Sequence, residues 1–206
     1  MYNKELDTKQ VILGAAEEEF LDKGYGNAKM MAIAKRAGVS HSMLHYHFQT
    51  KENLFQMIFQ QKIQTLSQLF EGIDVQHLPF MDTIRLFVEY QFLFIAQSPR
   101  LPLFMMNEII SDKKNLKMVV ETVKPQITEI FDKLKRMLDE EVEKGAIRPI
   151  KFQHLIMNIL SMNISTFPAL PLLEELIPEF DDKKKEAILN ERCECNVQFI
   201  LKALQK

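Results

Sequence analysis

A chain of 206 residues is long enough for one domain or two, and a net charge of −2 excludes a generally basic, nonspecific nucleic-acid binder. Any contact with phosphate therefore has to be local. The 15 phenylalanines and 12 methionines, without tryptophan, imply a malleable core that suits either ordinary packing or irregular apolar ligands.

The charged start MYNKELDTKQ is not followed by an apolar run with a small-residue cleavage site, so no secretory leader is expected. The first helix is expected over Thr8 to Lys23, where Val11, Ile12, Ala15, Ala16, Glu19 and Phe20 approximate helical spacing and Gly24 supplies the stop. Glu17, Glu18 and Glu19 read as a solvated acidic face. From Met30 to Lys51 the segment MMAIAKRAGVSHSMLHYHFQTK contains Lys35, Arg36 and Lys51 and no acidic residue, which suits a surface facing phosphate. Ile33, Ala34 and Ala37 make an inward stripe, Gly38 can take the positive φ of a tight reversal, and Ser40 can cap a short second helix from His41 to His47. Leu44 and Phe48, four apart, lean back onto the preceding helix and leave Ser42, Met43 and Tyr46 facing outward. Two short helices around a glycine turn read as a helix-turn-helix.

These residues resemble the signature of the TetR family of bacterial transcription regulators. Ile33, Ala34, Ala37, Gly38, Val39, Ser40, His47, Phe48, Lys51, Glu52 and Leu54 fall in its pattern, over about a quarter of the chain. The sequence departs from that pattern at His45, where tyrosine is usual, at Ala28 and Lys29, where threonine and serine open the helix, and at Met31, where a polar residue is common. The resemblance implies a phosphate contact for Lys51, a dimer formed by the last two helices, and a small molecule among the middle helices that moves the fourth helix.

That fourth helix should start at Thr50, a good N-cap, and run through Phe55, Phe59, Ile63, Leu66 and Phe70 to Gly72. Beyond Pro79 the pattern stays helical. Phe80 to Gln97 is followed, after a break at Pro99 and Pro102, by Leu103 to Ser111, then by Leu116 to Lys144 with Pro125 as a kink or boundary. Phe152 to Phe167 precedes a proline-punctuated connection from Pro168 to Pro178, and a last helix covers Asp181 to Leu204, with Ile188, Cys195, Phe199 and Ala203 turned inward. The uncharged run Leu155 to Leu173 is long enough to raise a membrane span, but Asn158, Ser161 and Asn163 within it favour a buried helix. The expected fold is all-α, of about nine helices: a three-helix DNA-binding domain at 1–50 and a helical regulatory and dimerisation domain at 51–206.

Lys29, His41, Ser42, Met43, His45, Tyr46, His47, Thr50 and Lys51 are the candidate DNA contacts. Thr50 and Lys51 open a helix whose free amides favour an anion, Met43 can touch a thymine methyl, and Tyr46 can reach base or backbone. His41 and His45 share the i, i+4 spacing of a zinc pair, yet His47 lies about 200° round from His45 and no thiol or carboxylate is near, so no metal is expected. A lipophilic or aromatic ligand would be lined by Phe87, Tyr90, Gln91, Phe94, Phe104, Met105, Asn107, Phe131 and Met157. Asn158, Ser161, Cys195 and Phe199 are the dimer candidates. Cys193 and Cys195, two apart on one helix, point to different faces and cannot easily bridge, consistent with a reduced, cytoplasmic protein. Without a phosphate loop, a nucleophile elbow or a ligand cluster, and with His154 alone on an apolar helix, neither an enzyme nor a cofactor is expected. The reading is a cytoplasmic homodimeric repressor, bound to an inverted-repeat operator in double-stranded DNA and released by a small apolar ligand. A helical carrier or sensor of apolar ligands acting through a protein partner is the competing reading.

Overall fold

The computed structural model describes residues 2–71, 78–177 and 185–206. Among the described residues there are nine helices and no strand: α1 (Tyr2–Asn27), α2 (Met30–Arg36), α3 (His41–Phe48), α4 (Lys51–Glu71), α5 (Phe80–Gln97), α6 (Leu101–Ser111), α7 (Lys113–Glu143), α8 (Phe152–Leu176) and α9 (Lys185–Leu204). The expected stops at Gly72 and Pro178, and the start at Asp181, lie outside the described residues. Packing divides the chain into two compact units. The first comprises Met1–Thr65 with Phe104–Gln126, and the second Leu66–Leu103 with Ile127–Lys206.

The first unit is built on one apolar core. Ile12, Ala16 and Phe20 from α1, Ile33 and Ala34 from α2, Leu44 and Phe48 from α3, and Leu54, Phe55, Ile58 and Phe59 from α4 are all buried in it, joined by Val119 of α7. Phe20, Phe48, Phe55 and Phe59 are each at most 2% exposed, and removing any one of these rings costs about 3–5 kcal/mol. Phe20 meets Phe55 edge-on at 5.6 Å, and Phe55 meets Phe104 of α6 at 5.9 Å. The α1 helix does break at Gly24, whose φ of 73° and ψ of 157° take the chain out of helix before a last short turn to Asn27.

The second unit packs α5, α8 and α9 around Ile84, Phe87, Val88, Leu155, Ile159, Val197 and Ile200, with Leu134 and Leu138 of α7. A smaller cluster holds Phe92, Ile95, Phe167 and Leu170. Three buried amides join α5, α8 and α9. Asn163 donates through Nδ2 to Gln91 Oε1 at 2.9 Å and to the Val88 carbonyl at 3.0 Å, and its Oδ1 accepts from Asn196 Nδ2 at 2.9 Å. The α8 helix is long and apolar enough to cross a membrane, but Leu155, Ile156, Ile159, Asn163, Thr166, Phe167 and Leu170 are buried within this unit.

The prolines are the main departure from the sequence expectation. Pro102 sits in the first turn of α6, where its missing N–H lies among the groups a helix leaves unpaired anyway. Pro125 lies inside α7, and Pro168 and Pro171 lie inside α8 rather than in a connection after it. All three of these interior prolines are exposed, so the carbonyls they leave unpaired can turn to water. The face of α9 is also corrected: Cys195, Phe199 and Ala203 are exposed, and the inward stripe is Asn196, Val197, Ile200, Leu201 and Leu204.

Candidate nucleic-acid interface

Local sequence determines how α3 is presented. Gly38 adopts φ 66°, which turns the chain so that the Val39 amide can donate back to the Ala34 carbonyl at 3.0 Å. Ser40 then stands as N-cap, its hydroxyl accepting from the Met43 amide at 3.1 Å. Leu44 and Phe48 are 0% and 1% exposed, while Tyr46 is 74% and Met43 45% exposed. His41, Ser42 and His45 are exposed as well, and His47 is half-buried. The helix thus offers Ser42, Met43 and Tyr46 outward on a rigid base. His41 and His45 pack edge to face, with ring centroids 4.7 Å apart, as do Tyr46 and His47 at 5.2 Å. No group of three metal-ligating side chains occurs among the described residues.

Two of the basic residues in this segment are committed elsewhere. The Lys51 ammonium, a candidate phosphate contact, donates to the carbonyls of Tyr25, Gly26 and Ala28 at 2.6, 3.1 and 3.1 Å and lies 4.6 Å from the centroid of the Tyr25 ring. All three of its protons are used in tying the bend after α1 to the start of α4. Arg36 is held by Glu18, Glu19 and Asp22, with N–O separations of 3.2, 3.2 and 3.0 Å. Glu19 is 6% exposed, and Glu17 pairs with Lys62 at 3.0 Å. Glu17 and Glu19 thus tie α4 and α2 to α1, while Glu18 stays on a solvated face. The Asp22 carboxylate, then Glu18 and Glu19, hold the Arg36 pKa above its ordinary value. Lys29 and Lys35 remain exposed. Thr50 is the N-cap of α4, its Oγ1 accepting from the Asn53 amide at 3.1 Å.

Sequence reasoning missed the contacts that α6 and α7 make on this unit. Glu108 Oε1 accepts from the Tyr25 amide at 3.1 Å, and Glu108 Oε2 accepts from Asn115 Nδ2 at 3.3 Å. Lys114 pairs with Glu52. Burial above all, with the charges of Glu52, Glu108 and Asp112, raises the pKa of the Tyr25 phenol. Tyr25 and Glu108 are 83 residues apart, and no local pattern announces such a pair.

The candidate ligand-lining residues are divided between the two units. Phe87 is buried in the core of the second unit, and Tyr90 and Phe131 pack against it. Phe94 belongs to the smaller cluster, and Gln91 is engaged by Asn163. Phe104 and Met105 pack into the core of the first unit instead. Asn107 is exposed, and Met157 is 64% exposed on α8, so neither lines an interior. What the second unit does assemble is an aromatic run, with Phe70 stacked on Phe87 at 4.5 Å, Phe87 meeting Phe131 at 6.4 Å, and Phe131 meeting Phe152 at 5.6 Å. The dimer candidates Asn158, Ser161, Cys195 and Phe199 are all exposed, Phe199 at 64%.

Residues 12–58 match the family model described as bacterial regulatory proteins, tetR family. The HTH-type transcriptional regulator YhgD of Bacillus subtilis is 27% identical over 146 residues, 70% of this chain and 74% of YhgD. The crystal structure of HlyIIR, a hemolysin II transcriptional regulator, superimposes with a TM-score of 0.67 at 25% identity, covering 98% of this chain and 99% of HlyIIR. The regulator FadR from Bacillus subtilis in complex with stearoyl-CoA shares the fold, with a TM-score of 0.70 at 18% identity over 95% of this chain and 99% of FadR. The chain belongs to the TetR family of bacterial regulatory proteins and is a DNA-binding transcriptional regulator with an N-terminal helix-turn-helix.

Proposed function

We propose that the chain is a homodimeric repressor that binds an inverted-repeat operator through α3 and is released from it by a small lipophilic ligand held in the second unit. The observation that carries the DNA-reading part is the division of α3 into a buried side, Leu44 and Phe48, and an exposed side, Ser42, Met43 and Tyr46, with no acidic residue from Met30 to Lys51. Met43 and Tyr46 are the sequence-reading residues, and Lys29, His41, His45 and His47 supply donors to phosphate or base edges. Thr50 stands at the helix end beside them.

Two features support the remainder. On α8, Met157, Leu160 and Leu172 are exposed, and Phe199 is exposed on α9; side chains of this size on two amphipathic helices favour pairing with a second copy, with Asn158, Ser161 and Cys195 at the rim. The run Phe70, Phe87, Phe131 and Phe152 favours an apolar ligand, and the stearoyl-CoA bound by a regulator of the same fold makes an acyl chain the first class to try. Release requires the ligand to bind better to the conformation whose reading helices are misplaced. A mobility-shift experiment on DNA upstream of the chain's own coding sequence, with stearoyl-CoA and a panel of lipophilic compounds as probes, tests both parts. The expected result is a salt-sensitive, sequence-selective complex that one probe dissolves. A complex indifferent to every probe, with no thermal shift, would remove the ligand and leave the DNA reading intact.

A further inference from the structure

The bend that follows α1 is gripped from two sides by opposite charges. On its carbonyl side stands the Lys51 ammonium. On its amide side stands Glu108, whose Oε1 accepts from the Tyr25 N–H at 3.1 Å and would lie 3.8 Å from a Cβ added at Gly24. Each charge complements the peptide dipole it faces, so the bend is fixed between α4 and α6 rather than by its own sequence. Glu108 is itself held: Asn115, 8% exposed, donates to its Oε2 at 3.3 Å and to its main-chain carbonyl at 3.4 Å. From this arrangement we infer that Glu108 is a positioning residue for operator binding, a latch through which α6 sets the bend that supports α2 and α3.

The inference deepens the proposed ligand-responsive function and rests on it for the origin of any movement of α6. Loosening the Tyr25 contact costs the reading head its order before any base contact is touched. Glu108 reaches no base or phosphate in this account, so its effect on affinity is independent of sequence and salt.

The test uses the full chain and duplexes selected by the wild-type protein from a randomised inverted-repeat library. Glu108→Ala should weaken binding about 10- to 150-fold, the equivalent of one charge-assisted hydrogen bond, with an unchanged dependence of log K on log salt. Hydrogen exchange at the Tyr25 amide should accelerate in the same variant. Glu108→Gln, which keeps an acceptor oxygen, should restore most of the affinity and the protection. Affinity equal to wild type in Glu108→Ala, measured where the variant is fully folded, overturns the latch even if its melting temperature has dropped. A weakened Glu108→Ala that Glu108→Gln fails to restore overturns it as well, since an acceptor oxygen held in the same place would then have no effect on binding. If the wild-type chain itself selects no duplex, the DNA reading fails and the latch with it, an outcome distinct from selection by wild type with an indifferent variant.

Discussion

Replacing Lys51 by methionine separates two readings of the same residue. The aliphatic stem is kept, so the change removes the ammonium and little packing. In the structure that ammonium donates to three main-chain carbonyls, two of them partly buried, and sits over the Tyr25 ring. A hydrogen bond from a charged donor contributes about 1.5–3 kcal/mol when well shielded. With one contact exposed and the others only partly buried, a total of roughly 2–3 kcal/mol is reasonable after discounting for solvent. For a chain of this size that corresponds to about 5–10 °C in melting temperature. Urea denaturation followed by circular dichroism gives the stability, and fluorescence anisotropy on the operator duplex from 50 to 300 mM salt gives the counterion slope. The structure predicts lowered stability and an unchanged slope. Wild-type stability with a slope shallower by about 0.9 would mean that Lys51 meets a phosphate, and the capping role argued from its geometry would be refuted.

Asn163→Leu strands Gln91 Oε1 and the Asn196 amide in the core and should cost roughly 3 kcal/mol in urea denaturation; replacing Gln91, Asn163 and Asn196 together by leucine should recover much of it, and a neutral single variant would mean that the amides are hydrated instead. Phe199→Glu, on the exposed face of α9, should convert dimers to monomers in sedimentation equilibrium, while persistent dimers would move the interface elsewhere. Burial, aided by Glu89 and then Glu194, pushes the Cys193 thiol up to about 11 from 9.0. The folded state therefore holds this proton more tightly than the unfolded chain, its contribution to stability is fully present below pH 9, and it is lost as pH rises from about 9 to 11. At pH 8 iodoacetamide should label Cys195 before Cys193, and equal rates would contradict the burial.

The helix-turn-helix was readable from the sequence because its determinants are local. Gly38, Ser40, Leu44 and Phe48 act within a few residues of one another, and each takes the conformation or burial its chemistry favours. Proline was the weaker guide: the sequence marks where an amide hydrogen is missing, but not whether the freed carbonyl has water to face, which is how Pro168 and Pro171 come to lie inside α8. Charge is less legible for a related reason. Lys51, Arg36 and Glu19 look like free charges until their partners, main-chain carbonyls for Lys51 and opposite charges for the other two, arrive from elsewhere in the fold. Of the candidate ligand lining, Phe104 and Phe87, both bulky and on neighbouring helices in the chain, pack into different cores. Composition cannot distinguish those destinations.

Selection of duplexes from a randomised library, followed by footprinting of the best one, tests the account most directly. A twofold dimer reading through α3 predicts an inverted repeat whose half-sites lie about one turn apart, roughly 34–36 Å, with a preference that changes in Met43→Ala and Tyr46→Ala while the fold is retained. A single asymmetric half-site, or retention of DNA without sequence preference, would contradict it.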